Sequence, residues 1–253
     1  MNGSISRTED GYAMGQFYGY IADGIFKTDA DAAKSAQPKA NSGDLMYRDM
    51  NGKDAAGKLT GKPDGKIDDA DKTYIGNPWP KCFYGINFDL AYKGFDLKAY
   101  FQGQAGVDLF NSTKSVSQSF YADYNTTSDI FGTSKFGNSD ITGLPSVFQK
   151  SSTGEILRDP NGNYKNVSSF FVENGAYVKL KDLQFGYTLP ASVTDRLGIG
   201  ATRIYLAGSN LFTITKYSGL DPELGGKVKE RGIETDGLYP QTRFISMGVN
   251  LKF

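Results

Sequence analysis

Apolar and polar side chains alternate along several stretches of this sequence, and this period of two residues constrains the fold more than any other feature. The clearest case is a pair of segments, 82–92 and 95–102, joined by Lys93 and Gly94. In each segment every second residue is apolar, which is typical of a β-strand with one apolar face. Glycine in the joining pair supplies the backbone freedom of a tight turn. The pattern predicts an antiparallel hairpin with one continuous apolar face.

The connections between predicted strands alternate between long and short. Further strands are predicted at 11–21, 176–189, 202–215 and 242–253. The long, polar connections are about 22–81, 106–169 and 216–241, and the short ones are 93–94 and 190–200. Outer-membrane barrels have short periplasmic turns and long extracellular loops. We therefore expect an all-β fold, an antiparallel transmembrane β-barrel portion of about six strands, with the three long connections extracellular.

The C-terminal segment carries the most specific pattern. Its apolar face is formed by Ile245, Met247, Val249, Leu251 and Phe253. In lipid the backbone must be paired and outward side chains must be apolar, which this alternation allows. The segment also resembles the C-terminal signal by which barrels are recognised for insertion, with the signal positions at Ser246, Gly248, Leu251 and Phe253. The alternative is a half-buried strand that ends a soluble β-sandwich.

Composition excludes several classes of function. The 253 residues include no histidine and one cysteine, Cys82. Histidine-based nucleophile systems and His- or Cys-rich metal sites are therefore absent from the sequence, and we expect no enzyme. The 28 basic and 28 acidic residues balance, so no nucleic-acid partner is indicated.

The sequence also lacks helical membrane signals. No apolar run approaches the ~20 residues of a transmembrane helix, and no secretory leader opens the chain. From the missing leader we expect the natural N-terminus to lie upstream of Met1.

Six motifs follow one another along the chain. They are GQFYGYIADGIF (15–26), DGKIDDADKTYIGNP (64–78), YGINFDLAYKGFDLKAYFQGQAG (84–106), FVENGAYVKLKDLQFGYTLP (171–190), SNLFTITKYSGLDPE (209–223) and YPQTRFISMGVNLKF (239–253). Together they resemble TonB-linked outer-membrane transporters of the SusC/RagA type. The resemblance covers most of the chain, with the loop interiors as gaps.

The resemblance implies the C-terminal part of a large barrel of roughly 22 strands in the outer membrane of a Gram-negative bacterium. It implies import of oligosaccharides or peptides, energised through TonB and capped by a SusD-like surface lipoprotein. The implied partners are outer-membrane lipid, that lipoprotein, the cargo, and TonB through an N-terminal part that this chain lacks. The plug domain is also missing, so we expect a fragment, or part of a split or truncated gene. No cofactor is implied with certainty.

An acidic loop is the one candidate metal site. Its proposed ligands are Asp49, Asn51, Asp64, Asp68 and Asp71. With 52–63 bulged out, they match positions 1, 3, 5, 9 and 12 of an EF-hand calcium loop, and Gly65 matches position 6. Against calcium, Asp71 replaces the usual Glu and the insertion breaks the spacing. The alternative is a solvated loop in which Asp and Gly supply turn geometry.

Aromatic residues leave a further choice open. Those considered are Tyr12, Tyr18, Tyr20, Tyr84, Tyr92, Tyr187 and Phe253. They could stack on sugars, although a barrel's interfacial girdle is the favoured explanation.

Two other functions remain as alternatives to transport. The first is a soluble cell-surface β-sandwich or carbohydrate-binding module. The second is a hydrolase that uses carboxylates alone, for which Asp68 and Asp69 are the candidate pair.

Overall fold

The computed structural model describes residues 3–119, 125–128, 130, 143–150, 153–235 and 238–252. The chain divides into two compact units. The first unit comprises Met1–Pro78, Asp108–Glu173 and Leu224–Gly237, and the second comprises Trp79–Val107, Asn174–Glu223 and Leu238–Phe253.

Short strands dominate the first unit and long strands the second. In chain order the described strands are β1 (Ser6–Arg7), β2 (Gln16–Gly19), β3 (Ala22–Ile25), β4 (Leu45–Tyr47), β5 (Thr73–Gly76), β6 (Cys82–Tyr92), β7 (Phe95–Ala105), β8 (Asp108–Asn111), β9 (Phe148–Lys150), β10 (Ile156–Arg158), β11 (Val172–Asn174), β12 (Tyr177–Thr188), β13 (Thr202–Thr215), β14 (Ile233–Glu234) and β15 (Phe244–Leu251). The described α-helices are α1 (Asp29–Ala33), α2 (Thr113–Ser117) and α3 (Ala191–Thr194), and the 3₁₀ turns are Asp69–Asp71, Ser169–Phe171 and Asp195–Leu197. None of the helices in the described residues has the length and apolarity needed to cross a membrane.

The second unit is built on one antiparallel sheet with the strand order β15-β13-β12-β7-β6. The predicted hairpin is confirmed: β6 pairs with β7 from Tyr92↔Phe95 to Cys82↔Ala105. Lys93 and Gly94 both have positive φ angles, 46° and 87°. That combination is the type I′ turn, whose twist matches that of the flanking strands.

The register places the apolar residues of all five strands on the same side of the sheet. Leu90 lies opposite Leu97, which in turn lies opposite Phe185. Phe185 lies opposite Leu206, and Leu206 lies opposite Met247. Because directly paired residues share a face, this row is one continuous apolar band.

The apolar band is exposed rather than packed into a core. Leu90 is 62% exposed, Leu206 53% and Met247 78%. On β15 the described apolar residues are likewise exposed, namely Ile245, Val249 and Leu251. Phe253 lies outside the described residues. The β-sandwich alternative predicted that this face of β15 would be buried, and it is not.

The predicted strand at 11–21 is corrected by the structure. Only Gln16–Gly19 is a strand, and it pairs with β1 and β5 in the first unit rather than joining the five-stranded sheet. Phe17 is fully buried and Tyr20 is 9% exposed. Aromatic residues stand in both phases of this segment, which does not suit a strand with one polar face, and the phase of Phe17 is the buried one.

The core of the first unit comes largely from segments that the sequence indicates as loops. One cluster joins Phe17 to buried residues of distant segments, namely Phe110, Val147, Tyr164 and Phe171. A second cluster contains Tyr20, Leu45 and Tyr47. The long connections therefore fold into a packed unit with its own apolar interior.

Candidate functional site

The polar face of the five-stranded sheet carries a network of charged and amide side chains. Arg203 on β13 donates from Nε to Asp96 Oδ2 on β7 at 2.8 Å, and from Nη2 to Gln184 Oε1 on β12 at 3.0 Å. On the neighbouring strands Lys98 Nζ lies 3.6 Å from Asp89 Oδ1. These groups pair with one another across strands, so the face is polar and internally satisfied.

Tyrosine rings on this face lie over glycines of the adjacent strand. Tyr205 on β13 is paired with Gly248 on β15. A Cβ atom added to Gly248 would lie 2.4 Å from the Tyr205 ring. Arg203 also lies over the Tyr205 ring, with its guanidinium carbon 5.0 Å from the centroid. A side chain at position 248 would therefore require the Tyr205 ring or the strand to move.

A buried ion cluster holds the segment after β13 against the sheet. Lys179 on β12 is 1% exposed. Its Nζ lies 2.9 and 3.1 Å from the two carboxylate oxygens of Asp221 and 2.8 Å from Glu223 Oε2. Lys181 Nζ reaches both oxygens of Glu223 at 3.1 Å. A buried ammonium that donates to two carboxylates fixes the position of both.

The same segment is tied by backbone contacts of the second unit. Asp221 accepts from the backbone N–H of Glu223 at 2.9 Å and of Gln241 at 3.3 Å. Gln104 on β7 donates from Nε2 to the Pro222 carbonyl at 3.4 Å. Lys179 is not among the candidate residues that the sequence indicates. The sequence signal that could have indicated this cluster is a lysine in the polar phase of β12, together with two acidic residues, Asp221 and Glu223, that follow β13.

The predicted insertion-signal residues lie where the alternation places them. Ser246 is opposite Ala207 on the polar face, Leu251 is exposed on the apolar face, and Gly248 lies beneath Tyr205. Phe253 is outside the described residues. The recognition role of these four residues stays a prediction.

The structure brings the acidic-loop residues together in the first unit. Asp49 accepts from the backbone N–H of Asp64 at 3.2 Å and of Gly65 at 2.7 Å. Asn51 Oδ1 accepts from the N–H of Gly61 at 2.6 Å. These side chains close the base of the inserted 52–63 segment.

Asp71 organises the other half of the loop. Its Oδ1 accepts from the N–H of Met50 at 2.8 Å and of Asn51 at 3.0 Å, and its Oδ2 accepts from the N–H of Asp68 at 2.9 Å. Asp68 in turn accepts from the N–H of Ala70 at 2.6 Å, which completes a capping box. Asp71 is 1% exposed, so it is a structural acceptor at the centre of the loop.

No group of three or more His, Cys, Asp or Glu in the described residues is placed to hold a metal ion. Calcium binding by Asp49, Asn51, Asp64, Asp68 and Asp71 stays a prediction.

The aromatic residues separate into two sets. Tyr84, Tyr92 and Tyr187 lie on the five-stranded sheet. Tyr12, Tyr18 and Tyr20 belong to the first unit and not to the five-stranded sheet, and the choice between sugar stacking and a girdle stays a prediction.

Curated relatives show which family this architecture belongs to. The chain is 31% identical over 252 residues to the TonB-dependent receptor P3 of Formosa agariphila, a match covering 96% of this chain and 22% of that receptor. It is 24% identical over 255 residues to the TonB-dependent receptor SusC of Bacteroides thetaiotaomicron, covering 98% of this chain and 21% of SusC. The chain belongs to the SusC-type TonB-dependent receptors. No family model matches it.

Solved structures show the same fold. The RagAB peptide transporter matches with a TM-score of 0.66 at 21% identity, covering 95% of this chain and 23% of the other. The 'open-open' state of the RagAB peptide importer matches with a TM-score of 0.63 over 100% of this chain. The likeness to these structures shows the fold, in which the five-stranded sheet is part of an antiparallel β-barrel.

Family membership also gives the location and the extent of the match. SusC-type receptors are proteins of the Gram-negative outer membrane, and this is where the chain resides. The chain spans about a fifth of the length of the curated relatives it matches.

Proposed function

We propose that this chain forms part of the wall and outer loops of an active importer of oligosaccharides or peptides. The observation that carries the proposal is the two-faced sheet. Its apolar band is exposed across five strands, which suits contact with membrane lipid, and its opposite face is polar and hydrogen-bonded, which suits a water-filled interior. The family supports import energised through TonB and capped by a SusD-like lipoprotein.

Orientation is part of the same proposal. The segments 22–81, 106–169 and 216–241 are extracellular, and the turns at 93–94 and 190–200 are periplasmic. The support is the sheet topology, in which both short turns lie at the same end of the antiparallel strands. The proposal also includes an insertion signal at Ser246, Gly248, Leu251 and Phe253. It further includes calcium binding by the acidic loop.

Orientation is tested by labelling single cysteines in intact cells. In a Cys82→Ser background, Lys58→Cys places a thiol in the first unit and Asp195→Cys places one between β12 and β13. A membrane-impermeant maleimide should label the first variant and spare the second until the outer membrane is permeabilised. Labelling of Asp195→Cys alone would reverse the orientation.

Import is tested with the intact receptor in cells with and without TonB. Fluorescent oligosaccharides and peptides are supplied outside, and the cargo is identified as the compound that accumulates only when TonB is present. Accumulation at the same rate in both strains would contradict active import. Co-purification of a surface lipoprotein with the receptor tests the proposed cap.

A further inference from the structure

Three tyrosines of the first unit, Tyr12, Tyr74 and Tyr18, form an aromatic ladder outside the five-stranded sheet. The rings of Tyr12 and Tyr74 are stacked, with centroids 4.0 Å apart and planes at 23°. Tyr18 meets Tyr74 edge to face at 5.4 Å. Tyr12 is 56% exposed although one face covers Tyr74, so its outer side is open to solvent.

A polar depression of about 420 Å³ adjoins the ladder through Tyr18. Its charged and aromatic lining consists of Arg7, Tyr18, Tyr20, Asp69, Lys72 and Lys165. Three of these side chains are cationic and one is acidic, so the depression is favourable for an anion.

The cations differ in how far they are neutralised. Lys72 pairs with Asp69 at 2.7 Å, and Arg7 pairs with Glu9, which does not line the depression. Lys165 is exposed, and its ammonium forms no ion pair within the described parts of the chain, although its backbone N–H donates to Asp159. Lys165 is therefore the cation with the most capacity to bind a ligand.

We infer that this face binds an anionic oligosaccharide, with a carboxylate or sulfate group beside Lys165 and a neighbouring sugar ring on Tyr12. An exposed tyrosine offers an apolar face with a polar edge, which matches the C–H face and hydroxyl edge of a pyranose. Ammonium and guanidinium groups bind carboxylate and sulfate oxygens by charge-assisted hydrogen bonds. The inference rests on the proposed importer and names the class of its cargo.

A peptide fits this face less well. Extended peptides are recognised by adding a strand to an open sheet edge. The edge strand nearest the depression, β1, has two residues and pairs on its other side with β2. That length offers little backbone to a peptide.

Isothermal titration calorimetry on the intact receptor in detergent tests the site. The probes are tetragalacturonate, a sulfated galactan tetrasaccharide, neutral maltotetraose and tetraglutamate. We expect one of the two anionic sugars to bind and maltotetraose not to, and the preferred sugar identifies the carboxylate or the sulfate as the anion. Binding should weaken as salt is raised, because the contact is between exposed charges.

Two variants and two matched controls assign the binding to these residues. Lys165→Gln and Tyr12→Ala should each weaken binding of the anionic sugar about tenfold, as expected for loss of one charge-assisted or stacking contact. Lys58→Gln changes an exposed lysine outside the depression, and Tyr239→Ala removes an 81% exposed tyrosine of the second unit. Both controls should bind as the wild type does.

Several results would overturn the inference. These are equal affinity for maltotetraose and the anionic sugars, tighter binding of tetraglutamate, or unchanged binding in both Lys165→Gln and Tyr12→Ala. Import is scored separately by uptake. If uptake depends on TonB but neither substitution changes binding, the proposed site is wrong and the proposed importer stands. If the sugar binds at this site but is not taken up, the proposed importer is wrong and the site stands.

Discussion

The ammonium of Lys179 lies 2.9 Å from Oδ1 of Asp221, in a place where both side chains are almost completely removed from solvent. The contact joins the middle of β12 to the segment that leaves β13. Removing one partner of a buried ion pair leaves an uncompensated charge, which typically costs about 3–5 kcal/mol.

Replacing Lys179 by methionine should therefore release the segment 216–223 from the sheet. We expect faster amide hydrogen exchange at Tyr217–Glu223 in the intact receptor, measured in detergent. Lys181→Met is the matched control, because Lys181 is more exposed and contacts Glu223 alone. Exchange in Lys179→Met as slow as in the wild type would show that the buried cluster does not hold the segment.

Replacing Gly248 by alanine should impair folding through a clash with Tyr205 rather than through a lost signal. The added Cβ would lie 2.4 Å from the ring, so ring or strand must move. We expect less heat-modifiable, folded receptor on gels of outer membranes. The second substitution Tyr205→Ala should restore much of the yield, and Asn250→Ala should have little effect. Failure of Tyr205→Ala to rescue would favour a recognition role for Gly248.

Charge on the apolar band should be costly, whereas charge on the opposite face should not. Met247→Lys places an ammonium among exposed apolar side chains, at a cost of about 2–4 kcal/mol if the residue lies near the bilayer midplane. Ser246→Lys puts the same group on the polar face of the same strand. Urea titration of the receptor in liposomes measures both, and equal destabilisation would contradict contact of the band with lipid.

The turn at Asp159 should be more stable in mild acid. Partial burial raises the pKa of Asp159 from an ordinary value near 3.8 to about 6, against the effect of the N–H donors of Asn163 and Tyr164. A group whose folded pKa is raised takes up its proton more readily when folded, so stability falls as pH rises from about 4 to about 6. The protection factor at Asn163 and Tyr164, which is the intrinsic exchange rate at each pH divided by the measured rate, should be larger at pH 5 than at pH 7. Asp159→Asn should remove the difference.

Loss of Asp71 should open the acidic loop. Its carboxylate accepts three backbone N–H bonds, and each charged hydrogen bond contributes about 1.5–3 kcal/mol. Limited proteolysis of Asp71→Ala should cut within 49–71 faster than in the wild type. Exposed Asp54→Ala serves as the control. Protection of the wild-type loop by added Ca²⁺, and its loss with a chelator, would support the calcium prediction.

The five long strands could be predicted from sequence because each has one exposed apolar face. The alternation of apolar and polar residues is then enough to show which residues share that face. The segment at 11–21 misled the same reasoning, since Phe17 and Tyr18 put aromatic rings in both phases and only four residues form a strand, with Phe17 buried and Tyr18 partly exposed. The folded first unit was also missed. Its core draws Phe17, Phe110 and Phe171 from segments far apart in the chain, and no local period records such contacts.

The candidate site was predictable only where chemistry is local. Asp68 and Asp71 lie three residues apart and form a capping box, which spacing alone suggests. The partner of Lys179 lies 42 residues away, and the pairing depends on how the chain returns after β13. The sequence shows only that Lys179 is a polar residue of a strand. Its burial is visible only in the structure, where the segment after β13 lies against it.

The strand order leaves β6 and β15 at the margins of the sheet, each with one row of amides and carbonyls that no described strand of this chain covers. In hydrocarbon every such group left without a partner costs several kcal/mol. These five strands therefore cannot settle in a bilayer ahead of their neighbours. Each of the two margins needs a paired strand before the sheet is stable in hydrocarbon.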